Sequence, residues 1–179
     1  MSGPIHQQEF SLSVTPSELQ NMRPVSKGLI TDLWLHPLNT GQKLPFNGDA
    51  HKVTVMQIQL YKQGEKGIVR PHCEDEGVTE IYFPIHGKVK IFLEDSPESD
   101  RMKRLENMEG QFSAEISSTQ IRITLKSDGN NISCLINGEE VSPVILPAGL
   151  KHSTQHVSRN TDSAVEDAMW LALKIQKQA

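Results

Sequence analysis

Residues 51–60 carry two interleaved phases. Thr54, Met56, Ile58 and Leu60 make one of them strongly apolar, while Val53, Val55, Gln57 and Gln59 run towards polar on the other. Successive side chains of an extended backbone point to opposite faces, so this period of two predicts a half-buried strand. Shorter runs rich in β-branched and aromatic residues predict further strands at 68–73, 79–85 and 88–93, and again at 120–125, 132–136 and 141–146. Turn material separates them. Residues 63–67 form one such stretch, His86-Gly87 reads as a tight hairpin turn, and Asp128-Gly129-Asn130 is another. Asn137-Gly138 is a strong hairpin dipeptide, because both residues reach positive φ cheaply. Over 167–176, Met169, Leu171, Leu173 and Ile175 share one phase and predict a final strand.

Two stretches break the pattern. The segment 1–50 differs from the rest: Thr15-Pro16-Ser17-Glu18 joins a capping residue, a proline at the first helical position and a glutamate at the third, predicting a short helix to about Met22. One apolar run follows at 29–35 among scattered prolines and glycines, so this segment reads as an arm packed on the main body, 51–179. The stretch 94–110 is highly charged and contains Pro97, which predicts a solvated connection with a helical turn near 102–108. Many short strands and no long amphipathic helix make the chain an all-β barrel or sandwich.

Composition narrows the class. The 179 residues fit one domain, with 36% hydrophobic and 22% charged residues, as expected of a globular chain. A formal charge of −4 gives no electrostatic footprint for nucleic acid, and no apolar run approaches a membrane span. Cys73 and Cys134 are the only cysteines, and the N-terminus has neither a basic nor an apolar leader region. The expected setting is therefore a reducing cytoplasm.

Chemistry concentrates between residues 70 and 80. His72 is followed by Glu74, Asp75, Glu76 and Glu80, imidazole and oxygen donors of the kind that bind transition metals. His6, His36 and His51 stand alone in polar surroundings and read as surface or loop residues. Downstream, Pro147-Ala148-Gly149-Leu150-Lys151-His152 follows an apolar strand.

These two segments together resemble the paired motifs of the cupin superfamily. Glu80 to Gly87 reproduces the E-x6-G half of the first motif, and Pro147 to His152 matches the P-x-G-x-x-H core of the second. The chain departs from the pattern in places. Only His72 stands where the family shows H-x-H, with Glu74 in the second place; counting back from Glu80 would instead reach Cys73 and Asp75, or Glu74 and Glu76. His72 and Glu74 are preferred, since positions i and i+2 share a strand face. The leading glycine of the first motif is shifted to Gly67, that of the second is missing at Val141, and His156 stands where an asparagine is common. The span from Gly87 to Pro147 is long for the family and implies extra strands or a lid.

The resemblance implies a cupin-type double-stranded β-helix, an RmlC-like jelly-roll barrel with a short N-terminal helical arm. It also implies a metal site of His72, Glu74, Glu80 and His152, suited to Mn²⁺, Fe²⁺, Ni²⁺ or Zn²⁺. Tyr82, on the face of Glu80, is the candidate to move a proton with it, and Arg70, Lys88, Lys90 and Lys151 are candidates to bind an anionic group. The implied function is a metal-dependent sugar isomerase or epimerase, working as a homodimer on a small-molecule substrate. The alternatives are a metal-free ligand-binding cupin and a mononuclear iron dioxygenase.

Overall fold

The computed structural model describes residues 7–64, 66–156 and 166–179, and of Glu106 only the backbone. His6 lies outside the described residues. The helix α1 (Pro16–Gln20) forms where the capping pattern predicts it, with the Glu18 side chain accepting from the Thr15 backbone N–H at 2.7 Å. Its flanks are β1 (Gln8–Val14), β2 (Arg23–Lys27) and β3 (Ile30–Pro37). The remaining strands are β4 (His51–Tyr61), β5 (Ile68–His72), β6 (Val78–His86), β7 (Lys88–Glu94), β8 (Met102–Glu109), β9 (Ile121–Ser127), β10 (Ile132–Ile136), β11 (Glu139–Val141), β12 (Val144–Leu146), β13 (His152–His156) and β14 (Ala168–Lys177).

Strand β14 is the spine of the molecule, antiparallel to β4 on one side and β6 on the other. Its alternation separates two cores. Met169, Leu171, Leu173 and Ile175 join Met56, Ile58, Ile81, Phe83 and Ile85 on the outer face. Ala168, Trp170 and Ala172 join Tyr61 and Tyr82 on the inner face, inside a curled sheet ordered β12-β6-β14-β4-β3-β5-β13-β7-β8. The outer face is closed by a second sheet, β1-β9-β10-β11, whose Val14, Ile121, Ile123, Leu125, Cys134 and Ile136 are all buried. Each large aliphatic or aromatic side chain buried this way contributes about 1.5–3 kcal/mol.

Several sequence expectations change here. The long inter-motif span holds extra strands: β9, β10 and β11 form most of the outer sheet. The charged segment around 94–110 is no loop with a helical turn, because residues 102–109 form β8, hydrogen-bonded to β7 from Lys88↔Glu109 to Glu94↔Met102. Its charges sit on the end strand of the curled sheet, where they discourage pairing with another chain. The stretch 141–146 splits into β11 and β12, in different sheets, around Ser142-Pro143. Proline has no N–H for a ladder, which suits this crossing point. His51 is buried, 6% exposed, with its ring edge-on to Phe46 at 5.8 Å.

His86-Gly87 is not a hairpin. Strand β6 pairs with β12 and β14, whereas β7 pairs with β13 and β8, so the two strands part at this corner. Gly87 holds φ +71°, and a Cβ there would collide with the Asp167 carbonyl. The Asn137-Gly138 turn does join two paired strands, with Ile136 opposite Glu139. The segment 1–50 is woven into both sheets: β3 lies between β4 and β5, and β1 pairs with β9 along its length.

Candidate metal centre

The inner face brings the two motif halves together. Glu80 sits in a row across three strands, opposite Leu146 on β12 and Lys174 on β14. His72 and His152 are register partners between β5 and β13, with ring centroids 4.5 Å apart. The turn 147–151 carries the chain from β12 to β13, and Glu94 pins it: its carboxylate accepts the Lys151 backbone N–H at 2.7 Å, and its own N–H donates to the Lys151 carbonyl at 2.9 Å.

One donor atom from each of His72, Glu74, Glu80 and His152 lies within 4.8 Å of all the others. Metal–ligand bonds of about 2.0–2.2 Å to nitrogen and oxygen put two donors of one ion at most about 4.4 Å apart, so a closing of a few tenths of an ångström would bring this cluster onto a single ion. His152 Nε2 is 2.8 Å from Glu80 Oε2, and both residues are buried, at 1% and 2% exposed. Among the described residues, His152 Nδ1 makes no hydrogen bond. His72 Nδ1 donates to the Arg70 carbonyl at 3.0 Å, which fixes the ring and leaves Nε2 facing the cluster. The donor set therefore fits a borderline divalent ion.

Of the three acidic neighbours, Glu74 is the one that turns inward, whereas Asp75 and Glu76 are exposed. Glu74 Oε1 lies 3.4 Å from His72 Nε2 and 2.7 Å from Lys174 Nζ. Hydrogen bonds from His72 and Lys174 pull its carboxyl down to about 2. The same His72–Glu74 contact holds the imidazole above its ordinary range, against the opposing effect of burial.

Tyr82 lies on the same face, 2% exposed, with its ring 6.0 Å from that of Trp170. Burial, and then the neighbouring Glu80 charge, push its hydroxyl well above the usual phenol range. It is therefore a hydrogen-bonding wall of the site, held in the protonated form. Arg70 and Lys88 are exposed, and Lys88 pairs with Glu109 at 3.4 Å. Lys151 reaches Glu94 and Asp100, at 3.8 and 3.6 Å, and Lys90 is half-buried on β7. The cation that does reach the cluster is Lys174. Its signal in the sequence is the second phase of the last strand, where Ala168, Trp170, Ala172 and Lys174 share a face.

Glu80 and His152 stand 72 residues apart in the chain and meet inside an antiparallel barrel, one from each motif half. That arrangement defines the fold as a cupin-type β-barrel. No family model and no curated protein matches the chain. Solved structures do. CapF with the inhibitor 3-isopropenyl-tropolone is similar over 86% of this chain, at 12% identity and a TM-score of 0.43; this chain spans only 29% of CapF. Oxalate oxidase is similar over 73% of this chain and 52% of its own, at 12% identity and a TM-score of 0.39. KdgF from Halomonas sp. matches over 88% of this chain and 87% of its own, at 10% identity and a TM-score of 0.40. Among the described residues, no helix is long and apolar enough to cross a membrane.

Proposed function

We propose that the protein is a mononuclear metalloenzyme, with His72, Glu74, Glu80 and His152 as ligands, acting on a small polar metabolite as a sugar isomerase or epimerase. The observation that carries this reading is the convergence of two imidazoles and two carboxylates within 4.8 Å. A divalent ion held there supplies Lewis acidity, polarising carbonyl and hydroxyl oxygens of a substrate. Glu94 holds the turn that delivers His152, and the Arg70 carbonyl orients His72. Tyr82 backs Glu80 from the barrel interior and excludes water from that side. Lys174, with 24% of its side chain exposed, offers a positive charge to an anionic or hydroxyl group of the substrate. The homodimer implied by the resemblance belongs to the same proposal, and light scattering of the purified protein reads it.

The test is elemental analysis of the purified protein, with His152→Ala beside wild type. About one divalent transition ion per chain is expected in wild type, and its loss in the variant. Unchanged metal stoichiometry in His152→Ala would sink the ligand assignment. Interconversion within a panel of sugars then supports the isomerase, while oxygen consumption points to an oxygenase. A second reading is favoured by Lys174: with an ammonium already 2.7 Å from Glu74, the barrel is a metal-free module binding an organic ligand. Absence of metal from wild type selects that reading.

A further inference from the structure

A second site lies at the other end of β6, on the outer face. The register between β6 and β14 slips where His86 faces Met169 and Pro84 faces Trp170, so Ile85 and His86 together oppose one residue. The extra residue re-aims His86 to the face of Met169, towards the 3-10 helix Ala114–Ser118. There the ring borders a cavity of about 220 Å³, with Leu60, Ile116 and Met169 as apolar walls and Ser117 and Glu166 at the rim.

The surroundings lock this imidazole in place. Gly110 presses its backbone onto His86, leaving no room for a side chain, and Phe112 N–H donates to the Ile85 carbonyl at 3.0 Å. His86 Nδ1 lies 2.7 Å from the Phe112 carbonyl, which can only accept, so Nδ1 carries the proton. In the neutral ring Nε2 is then the atom with the lone pair. It is buried in a side chain only 7% exposed, makes no hydrogen bond among the described residues, and has Glu166 Oε2 at 3.4 Å. The Glu166 backbone is anchored in turn: its carbonyl lies 3.0 Å from His156 Nε2, and the Asp167 carboxylate beside it accepts the Gln63 N–H at 2.6 Å.

We propose that this cavity is a binding site for a small primary amine with a short apolar body. The argument is complementarity. The His86 nitrogen and the Glu166 carboxylate both accept hydrogen bonds, and among the described residues the charged side chains lining the cavity, Glu166 and Asp167, are negative. A protonated amine supplies the matching donors and charge, and Leu60, Ile116 and Met169 receive its hydrocarbon part. The four-residue cluster of the barrel takes no part.

The test is calorimetric titration of the full chain with n-butylammonium chloride, beside n-butanol and sodium butyrate, with the His86 ring signals followed by NMR. The ammonium is expected to saturate one site and shift those signals, with the alcohol and the carboxylate binding at least about tenfold more weakly. Glu166→Gln should lose about tenfold in affinity for n-butylammonium. Ala114→Trp, at an exposed position on the rim, should block binding while leaving the melting temperature unchanged. His152→Ala should leave binding intact. The proposal is overturned by any of four results: no saturable binding of n-butylammonium, equal binding of n-butanol, unaltered affinity in Glu166→Gln, or zinc ions displacing the amine from the His86 signals.

Discussion

At the scale of single residues, the cluster is governed by competition for Glu74 and His72. A proton on His72 and the ammonium of Lys174 would compete with a metal ion for the donor atoms of His72 and Glu74. The His72 imidazole is held above its ordinary range, so it remains protonated to a higher pH than a free histidine. Metal binding requires its Nε2 lone pair. Apparent affinity should therefore fall as pH drops through the raised His72 value, by about tenfold per unit below it. Glu74 does not contribute in that window, since its carboxyl, at about 2, stays ionised throughout. Zinc titrations followed across pH 5 to about 8 check this, and a flat profile would remove His72 from the ligand set. A Lys174→Met variant should bind the ion more tightly than wild type, because the competing cation is gone while the stem still packs.

At the scale of elements, the turn 147–151 is held by a carboxylate that the sequence did not single out. Glu94 is 3% exposed, at the end of β7, and exchanges two hydrogen bonds with Lys151. Glu94→Ala leaves the Lys151 N–H without its partner and releases the register of His152. A loss of about 1–3 kcal/mol in chemical denaturation is expected, with a drop in metal occupancy that Glu94→Gln largely restores. The strands themselves were largely legible, because period-two alternation in β4 and β14 reflects one face packed on each core. The parting of β6 and β7 was not. A His-Gly pair tells of a tight bend, and whether the flanking strands then pair depends on β13, β14 and β8, which lie far away in the chain. Strand β8 was hidden for a different reason: charge on an edge strand reads, in one dimension, like charge on a loop.

At the scale of the whole molecule, two cores share one sheet, and Leu171 is 0% exposed at the middle of the outer one. Leu171→Ala should cost about 2–5 kcal/mol by loss of burial and the cavity left behind, measured by denaturant titration. Two of the four proposed ligands, Glu80 and His152, stood out in the sequence because short motifs fix the turns around them. The third, His72, followed from its place before Glu80. In the sequence Glu74 is preferred over Asp75 and Glu76 because positions i and i+2 share a strand face, and in the structure it is the carboxylate that Lys174 meets. His86 escaped notice as a candidate because a single-residue bulge, invisible to alternation, decides which core it faces.

The central position of β14 also bears on how the chain is made. Strands β4 and β6 flank it and do not pair with each other in the finished protein, yet they leave the ribosome about a hundred residues earlier. Until β14 arrives, both present open hydrogen-bonding edges and bare apolar faces to whatever is near. A nascent chain in that condition is a client for holding chaperones, and the barrel should snap shut late, in one cooperative step, rather than grow strand by strand.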